Sequence, residues 1–141
     1  MRDFEYYVNK KDVKKVSLDK PLAISLVRDM EERASDAMKL DAEAFPKIIF
    51  ESVYDALRDF CDALLAVEGY KSYSHEGSIS FLAKKGLDVA FMSALDNFRY
   101  KRNGSKYYAQ KITPEDTKSI IEFYNSNKGR INEVLKKAGL K

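Results

Sequence analysis

Residues 46–69, PKIIFESVYDALRDFCDALLAVEG, decide the fold. Ile49, Val53, Leu57, Phe60, Leu64 and Val67 recur at three- and four-residue steps, the period of one helix face. Phe50, Tyr54, Cys61 and Leu65 widen that stripe, and Glu51, Asp55, Arg58, Asp59 and Asp62 are left as a polar face. A helix apolar over more than half its circumference must be covered by several neighbours, so this segment is expected at the centre of the molecule. Pro46 suits a first turn, where its missing N–H costs nothing, and Gly69 suits the residue that ends a helix.

The flanking segments supply those neighbours. Upstream, Ser17-Leu18-Asp19-Lys20-Pro21 combines a capping oxygen with an early proline, and Leu22, Leu26, Met30, Ala34 and Ala37/Met38 follow at helical spacing. Downstream, Ser74 caps a shorter helix through His75, Ile79, Leu82 and Ala83, closed by Gly86. Leu87, Phe91, Leu95 and Phe98 mark another helix, and the same count reaches Arg102, which is therefore expected on the packed face. Gly104 reads as the end of that helix. Thr113-Pro114-Glu115-Asp116 opens the last one, with Ile120, Ile121, Tyr124, Ile131, Val134 and Leu135 along its face and Lys128 interrupting the stripe. All three prolines fall at helix starts, and no segment alternates as a strand does. The expectation is a single all-α antiparallel bundle of about five helices over residues 17–141, preceded over residues 1–16 by an aromatic and lysine-rich arm, irregular or a short helix, that docks its aromatics on the body.

Composition bounds the function. With 141 residues, 45% hydrophobic and 33% charged, the chain fits one domain with one core. No apolar run approaches the roughly 20 residues of a membrane span, and the first residues carry acids without an apolar h-region, so a cytoplasmic protein without a membrane role is expected. The single cysteine, Cys61, sits among apolar residues as a small buried hydrophobe does. One cysteine and one histidine cannot assemble a Cys/His zinc site, and no cofactor is expected. The acids of the first two long helices lack the Glu-x-x-His step of di-iron bundles and read as solvated faces. No Gly-rich phosphate loop or Ser/His/Asp set is present.

The remaining signal is a basic stretch. Between Asn97 and Pro114 the chain carries Arg99, Lys101, Arg102, Lys106 and Lys111 and no acid, although the net charge of the whole is only +3. Tyr100, Tyr107 and Tyr108 are interleaved with those cations. Cations neutralise phosphates and tyrosine faces stack on bases, so the stretch suits a nucleotide or single-stranded RNA. The plainer alternative is a solvated basic helix end that complements the helix dipole. His75, one residue after a cap, reads as a locally hydrogen-bonded residue unless the fold brings it to the basic stretch.

The bundle order, Tyr73-Ser74-His75-Glu76-Gly77 after a long central helix, then Arg102-Asn103 and Tyr107-Tyr108, resembles the HEPN domains, small helical domains of nucleotide-binding proteins, over roughly residues 19 to 137. The resemblance implies a homodimer that places Arg99, Lys101, Arg102, Asn103, Lys106, Tyr107 and Tyr108 at a nucleotide- or RNA-binding cleft. Members with ribonuclease activity carry an arginine and a polar residue, then a histidine four to six residues on. Here those are Arg102 and Asn103, but Tyr107, Tyr108 and Ala109 occupy the histidine positions. A tyrosine with a pKa near 10 is a poor base at neutral pH, so binding is expected before metal-independent cleavage by Arg102, Asn103 and His75. The resemblance also implies a minimal nucleotidyltransferase partner, in a toxin–antitoxin-like pair whose transferase modifies a tyrosine near the motif. A structural dimer with a partner-docking basic loop is the third expectation.

Overall fold

The computed structural model describes residues 1–141 as six α-helices, one 3-10 helix and two short strands. In chain order these are α1 (Phe4–Asn9), β1 (Val13–Lys15), α2 (Lys20–Ala37), α3 (Pro46–Glu68), β2 (Tyr70–Ser72), α4 (His75–Ser80), the 3-10 turn Phe81–Lys85, α5 (Val89–Tyr108) and α6 (Pro114–Lys137). The all-α bundle is the observed architecture. No helix is long and apolar enough to cross a membrane.

The central position of α3 follows from its sequence. Ile49, Phe50, Val53, Tyr54, Leu57, Phe60, Leu64 and Leu65 are all buried, and they anchor one continuous core drawn from every helix. Burying a Leu, Ile or Phe side chain contributes about 1.5–3 kcal/mol, so this one helix supplies a large share of the hydrophobic stabilisation. The start of α2 is tied to the end of α3 by Asp19 N–H donating to the Ala66 carbonyl at 3.0 Å, so these two helices run antiparallel. On α5, Phe91 meets Phe60 and Phe98 meets Phe50, so α5 also runs antiparallel to α3. Lys101 pairs with Asp116 and Arg130 with Asp88, which sets α6 antiparallel to α5. Lys118 to Glu43, in the connection between α2 and α3, and Lys141 to Glu31 of α2 close the circuit.

Caps place the helix starts where the sequence puts them. Asp19 accepts from Leu22 N–H, Ser74 from Gly77 N–H and Asp88 from Phe91 N–H, and Thr113 and Asp116 form a reciprocal capping box. Gly69 ends α3 at φ +82°, and a Cβ there would stand 2.8 Å from the Val16 carbonyl oxygen.

Several expectations are corrected. Residues 13–15 and 70–72 form an antiparallel two-stranded ribbon, with Val13 opposite Ser72 and Lys15 opposite Tyr70, where an arm and a plain link were expected. Three-residue strands are too short for alternation to register. The rest of the arm agrees with its short-helix form: α1 buries Phe4 and Tyr7. The core face of α2 begins at Ala23 and Val27 rather than Leu22 and Leu26, because the tie to Ala66 fixes its entry and leaves Leu22 half-exposed. Gly104 does not end a helix: α5 continues to Tyr108, and the residue in the left-handed conformation is Ala109, at φ 56°. The basic stretch Arg99–Tyr108 is therefore helical. The interrupted stripe at Lys128 agrees with the structure: the turn around that residue faces solvent, and α6 runs unbroken through it.

Candidate phosphate-binding cluster

His75 and Arg102 lie on different helices, and the fold brings both to Tyr54 of α3. The His75 Nδ1 atom is 3.0 Å from the Tyr54 hydroxyl, and the two rings stack with centroids 6.0 Å apart. The Arg102 guanidinium carbon lies 5.6 Å from the centroid of the Tyr54 ring. Arg58, one turn beyond Tyr54 on α3, points a terminal nitrogen at His75 Nε2. The helical count from Leu87 thus places Arg102 correctly: its side chain is only 12% exposed.

The hydrogen-bonding groups determine the state of the imidazole. A guanidinium only donates, so His75 Nε2 must accept from Arg58 and carries no proton. The ring's proton is then on Nδ1 and is donated to the Tyr54 oxygen. Burial pushes the His75 pKa down to about 4, reinforced by Arg58, Arg102, Arg99 and Lys106 around the ring. His75 is neutral at physiological pH. Burial likewise holds the Tyr54 phenol protonated, well above the ordinary tyrosine range.

The arginines are poorly matched by acids. Arg102 reaches Asp55 only at 3.9 Å, and Arg58 reaches Asp62 only at 3.8 Å. The Nε–H groups of both Arg58 and Arg102 are buried and have no acceptor. An orphaned buried donor costs about 1–3 kcal/mol, more when the group is charged. Arg99 is better paired, to Asp96 at 2.7 Å, and more distantly to Glu76 at 3.9 Å. Glu76 is also within 3.4 Å of the Tyr7 hydroxyl on α1. Lys106 is exposed and has no ion-pair partner within 4.0 Å. The cluster therefore holds two buried cationic donors without an acceptor, Arg58 Nε–H and Arg102 Nε–H.

Of the residues expected at the site, Arg99, Arg102 and Lys106 share the side of α5 that influences the imidazole, and half-buried Asn103 is beside them in the helical order. Lys101 is not there. It lies on another side of α5 and bonds to Asp116 at 2.6 Å. Tyr107 and Tyr108 are 64% and 76% exposed, and the hydrogen bonds and ring contact of His75 go to Tyr54 and Arg58 instead. Tyr54 and Arg58 belong to the cluster but read in the sequence as the edge of an apolar stripe and part of a polar face. Their one local signal is the four-residue step that puts them side by side on α3.

No family model, curated protein or solved structure matches this chain. A cleft of about 550 Å³ between residues 1–5 and the start of α5 has Asp96 on its wall, but none of Tyr54, Arg58, His75 or Arg102 lines it. It is a separate feature. Asp59 and Arg33, bonded at 2.9 Å between α2 and α3, also form a separate pair: burial pushes Asp59 up to about 6 despite that partner.

Proposed function

We propose that this protein binds a phosphate-bearing ligand, single-stranded RNA or a nucleotide, through Arg58, Arg99, Arg102 and Lys106. The observation that carries the reading is the pair of buried Nε–H donors on Arg58 and Arg102, both without an acceptor. A phosphate oxygen satisfies such donors with charge-assisted hydrogen bonds, and a guanidinium matches phosphate geometry in a way that a lysine does not. Tyr100 and Tyr107, seven residues apart on one exposed side of α5, offer stacking faces for bases next to those cations. The resemblance to HEPN domains supports the same ligand class, a homodimer, and a minimal nucleotidyltransferase partner in a toxin–antitoxin-like pair. Exposed Tyr107 and Tyr108 are the residues such a partner would reach.

Divergent ribonuclease activity is the second reading, because an imidazole does stand in the same cluster as Arg102. His75 is a weak base for that task. Its free lone pair is taken by Arg58, and its pKa lies near 4. Binding is therefore the better-supported reading.

The test is fluorescence anisotropy with a labelled single-stranded RNA, competed by a mononucleotide and by inorganic phosphate. Arg102→Ala should weaken binding about 10- to 100-fold, the loss of roughly 1.5–3 kcal/mol for a charged hydrogen bond. The wild-type affinity should fall with salt, with a logarithmic slope of about −2 to −3 for four neutralised phosphates. Competition by the mononucleotide alone would assign a nucleotide site. Unchanged affinity in Arg102→Ala would refute the assignment, and cleavage that survives chelators and disappears in that variant would favour the second reading.

A further inference from the structure

The contact between Arg58 and His75 is an unusual choice of partner. A buried guanidinium ordinarily meets a carboxylate, yet here the nearest carboxylate, Asp62, is 3.8 Å away and the imidazole is closer. The imidazole in turn is anchored at its other nitrogen by Tyr54, whose ring also lies against Arg102. His75 is thus a link between the two arginines that carry orphaned Nε–H groups. We propose that His75 is a positioning residue and a proton-operated catch: its neutral ring holds Arg58 at the phosphate site, and protonation of Nε2 releases it.

Arg58 can stay where it is only while Nε2 is a lone pair. A proton there would set N–H against N–H and add a fifth positive charge to Arg58, Arg99, Arg102 and Lys106. The acids that reach these cations are Asp55 and Asp62 from α3, Glu76 from α4 and Asp96 from α5. Each is spent on an arginine, and the carboxylate beside the ring in sequence, Glu76, pairs with Arg99 and Tyr7. None of them bonds to the imidazole. Tyr54, buried and protonated, can accept the Nδ1 proton but supplies no negative charge. The catch is therefore closed at neutral pH, with its opening displaced to acid.

Its effect on binding rests on the phosphate-site reading above, but its existence does not, and the two are tested separately. His75 is the chain's only histidine, so long-range proton–nitrogen NMR spectra of the full chain report on it alone. Without ligand, the ring should be the Nδ1–H tautomer and should titrate with a midpoint of about 4. Arg58→Met should move that midpoint upward. An Nε2–H tautomer, or a midpoint at the ordinary histidine value in the wild type, overturns the catch whether or not RNA binds.

The second arm uses a labelled single-stranded oligouridylate. His75→Gln keeps an acceptor near the Nε2 position and cannot take a proton, so it should bind within about threefold of the wild type. His75→Leu removes both hydrogen bonds and should bind about tenfold more weakly. Should the leucine variant fail to fold, the glutamine variant still decides. Wild-type affinity should be flat, within about twofold, between pH 7.5 and 6. Affinity that climbs severalfold over that range, with the glutamine variant as weak as the leucine one, means that an imidazolium contacts the phosphate itself and overturns the proposal. No binding by the wild type refutes the phosphate-site reading and leaves the spectroscopic result to stand for the catch.

Discussion

Replacing Gly104 by alanine separates two accounts of the basic stretch by the sign of one stability change. If Gly104 closed a helix in the left-handed conformation, alanine there would cost about 1 kcal/mol or more. In the structure Gly104 is an interior residue of α5, four residues short of its end. An interior glycine is about 1 kcal/mol less favourable than alanine, so the substitution should instead stabilise. The nearest atoms to a Cβ at Gly104 belong to the side chain of Gln110, whose terminal oxygen stands in its way. Gln110 is exposed and has no side-chain hydrogen bond to lose, so it can swing aside at a cost of a few tenths of a kcal/mol. The net expectation is a gain of about 0.5–1 kcal/mol, or about 2–5 °C in Tm for a chain of this size. Ala109→Gly should give a gain of about 1 kcal/mol by relieving the residue that does hold φ 56°. Urea denaturation followed by far-UV circular dichroism measures both. Loss of stability in Gly104→Ala together with no gain in Ala109→Gly would refute the helical reading of residues 99–108.

Two further perturbations probe the frame around the site. Gly69→Ala combines φ +82° with a Cβ 2.8 Å from the Val16 carbonyl oxygen, a backbone atom that cannot turn away, and should cost about 2–3 kcal/mol; a loss under about 0.5 kcal/mol in the same urea assay contradicts the β1–β2 geometry. Asp59 is shielded on α3 while the Arg33 head is half-exposed, so burial falls on the carboxylate and raises it to about 6 from an unfolded value near 3.8. A raised folded pKa favours the fold below about pH 4 and loses that contribution as pH rises through about 6. Asp59→Asn, which keeps an oxygen for Arg33, should therefore gain stability relative to the wild type between about pH 5 and 7.5; thermal melts showing the opposite trend would assign the ionised pair a net stabilising role.

How much was legible depends on whether a feature is local. The stripe of α3, the prolines at the starts of α2, α3 and α6, and the Thr113-Pro114-Glu115-Asp116 start signal are patterns within a few residues, and each stands in the structure as read. Arg102 was also legible, because its position extends an unbroken helical count. Gly104 is ambiguous in sequence because an interior glycine and a terminal one look alike until the capping hydrogen bond is seen. Here Gln110 N–H reaches back to the Gly104 carbonyl at 3.1 Å, and alanine takes the left-handed position. Tyr54 and Arg58 carry no such signal because their partner, His75, is 21 and 17 residues away, beyond any helical period. Lys101 was assigned to the site on charge alone, whereas its rotation about α5 delivers it to Asp116.

The central claim is that the orphaned donors of Arg58 and Arg102 receive a phosphate, and arginine side-chain NMR tests it at those atoms. In the free protein, Arg33 Nε–H is already bonded to Asp59 at 2.9 Å and serves as an internal reference. On titration with a single-stranded RNA oligonucleotide, the Nε–H resonances of Arg58 and Arg102 should shift downfield and become protected from exchange, while that of Arg33 stays in place. Saturating RNA that leaves Arg58 and Arg102 unmoved, or that shifts only surface groups such as Lys101 and Lys111, would contradict the account.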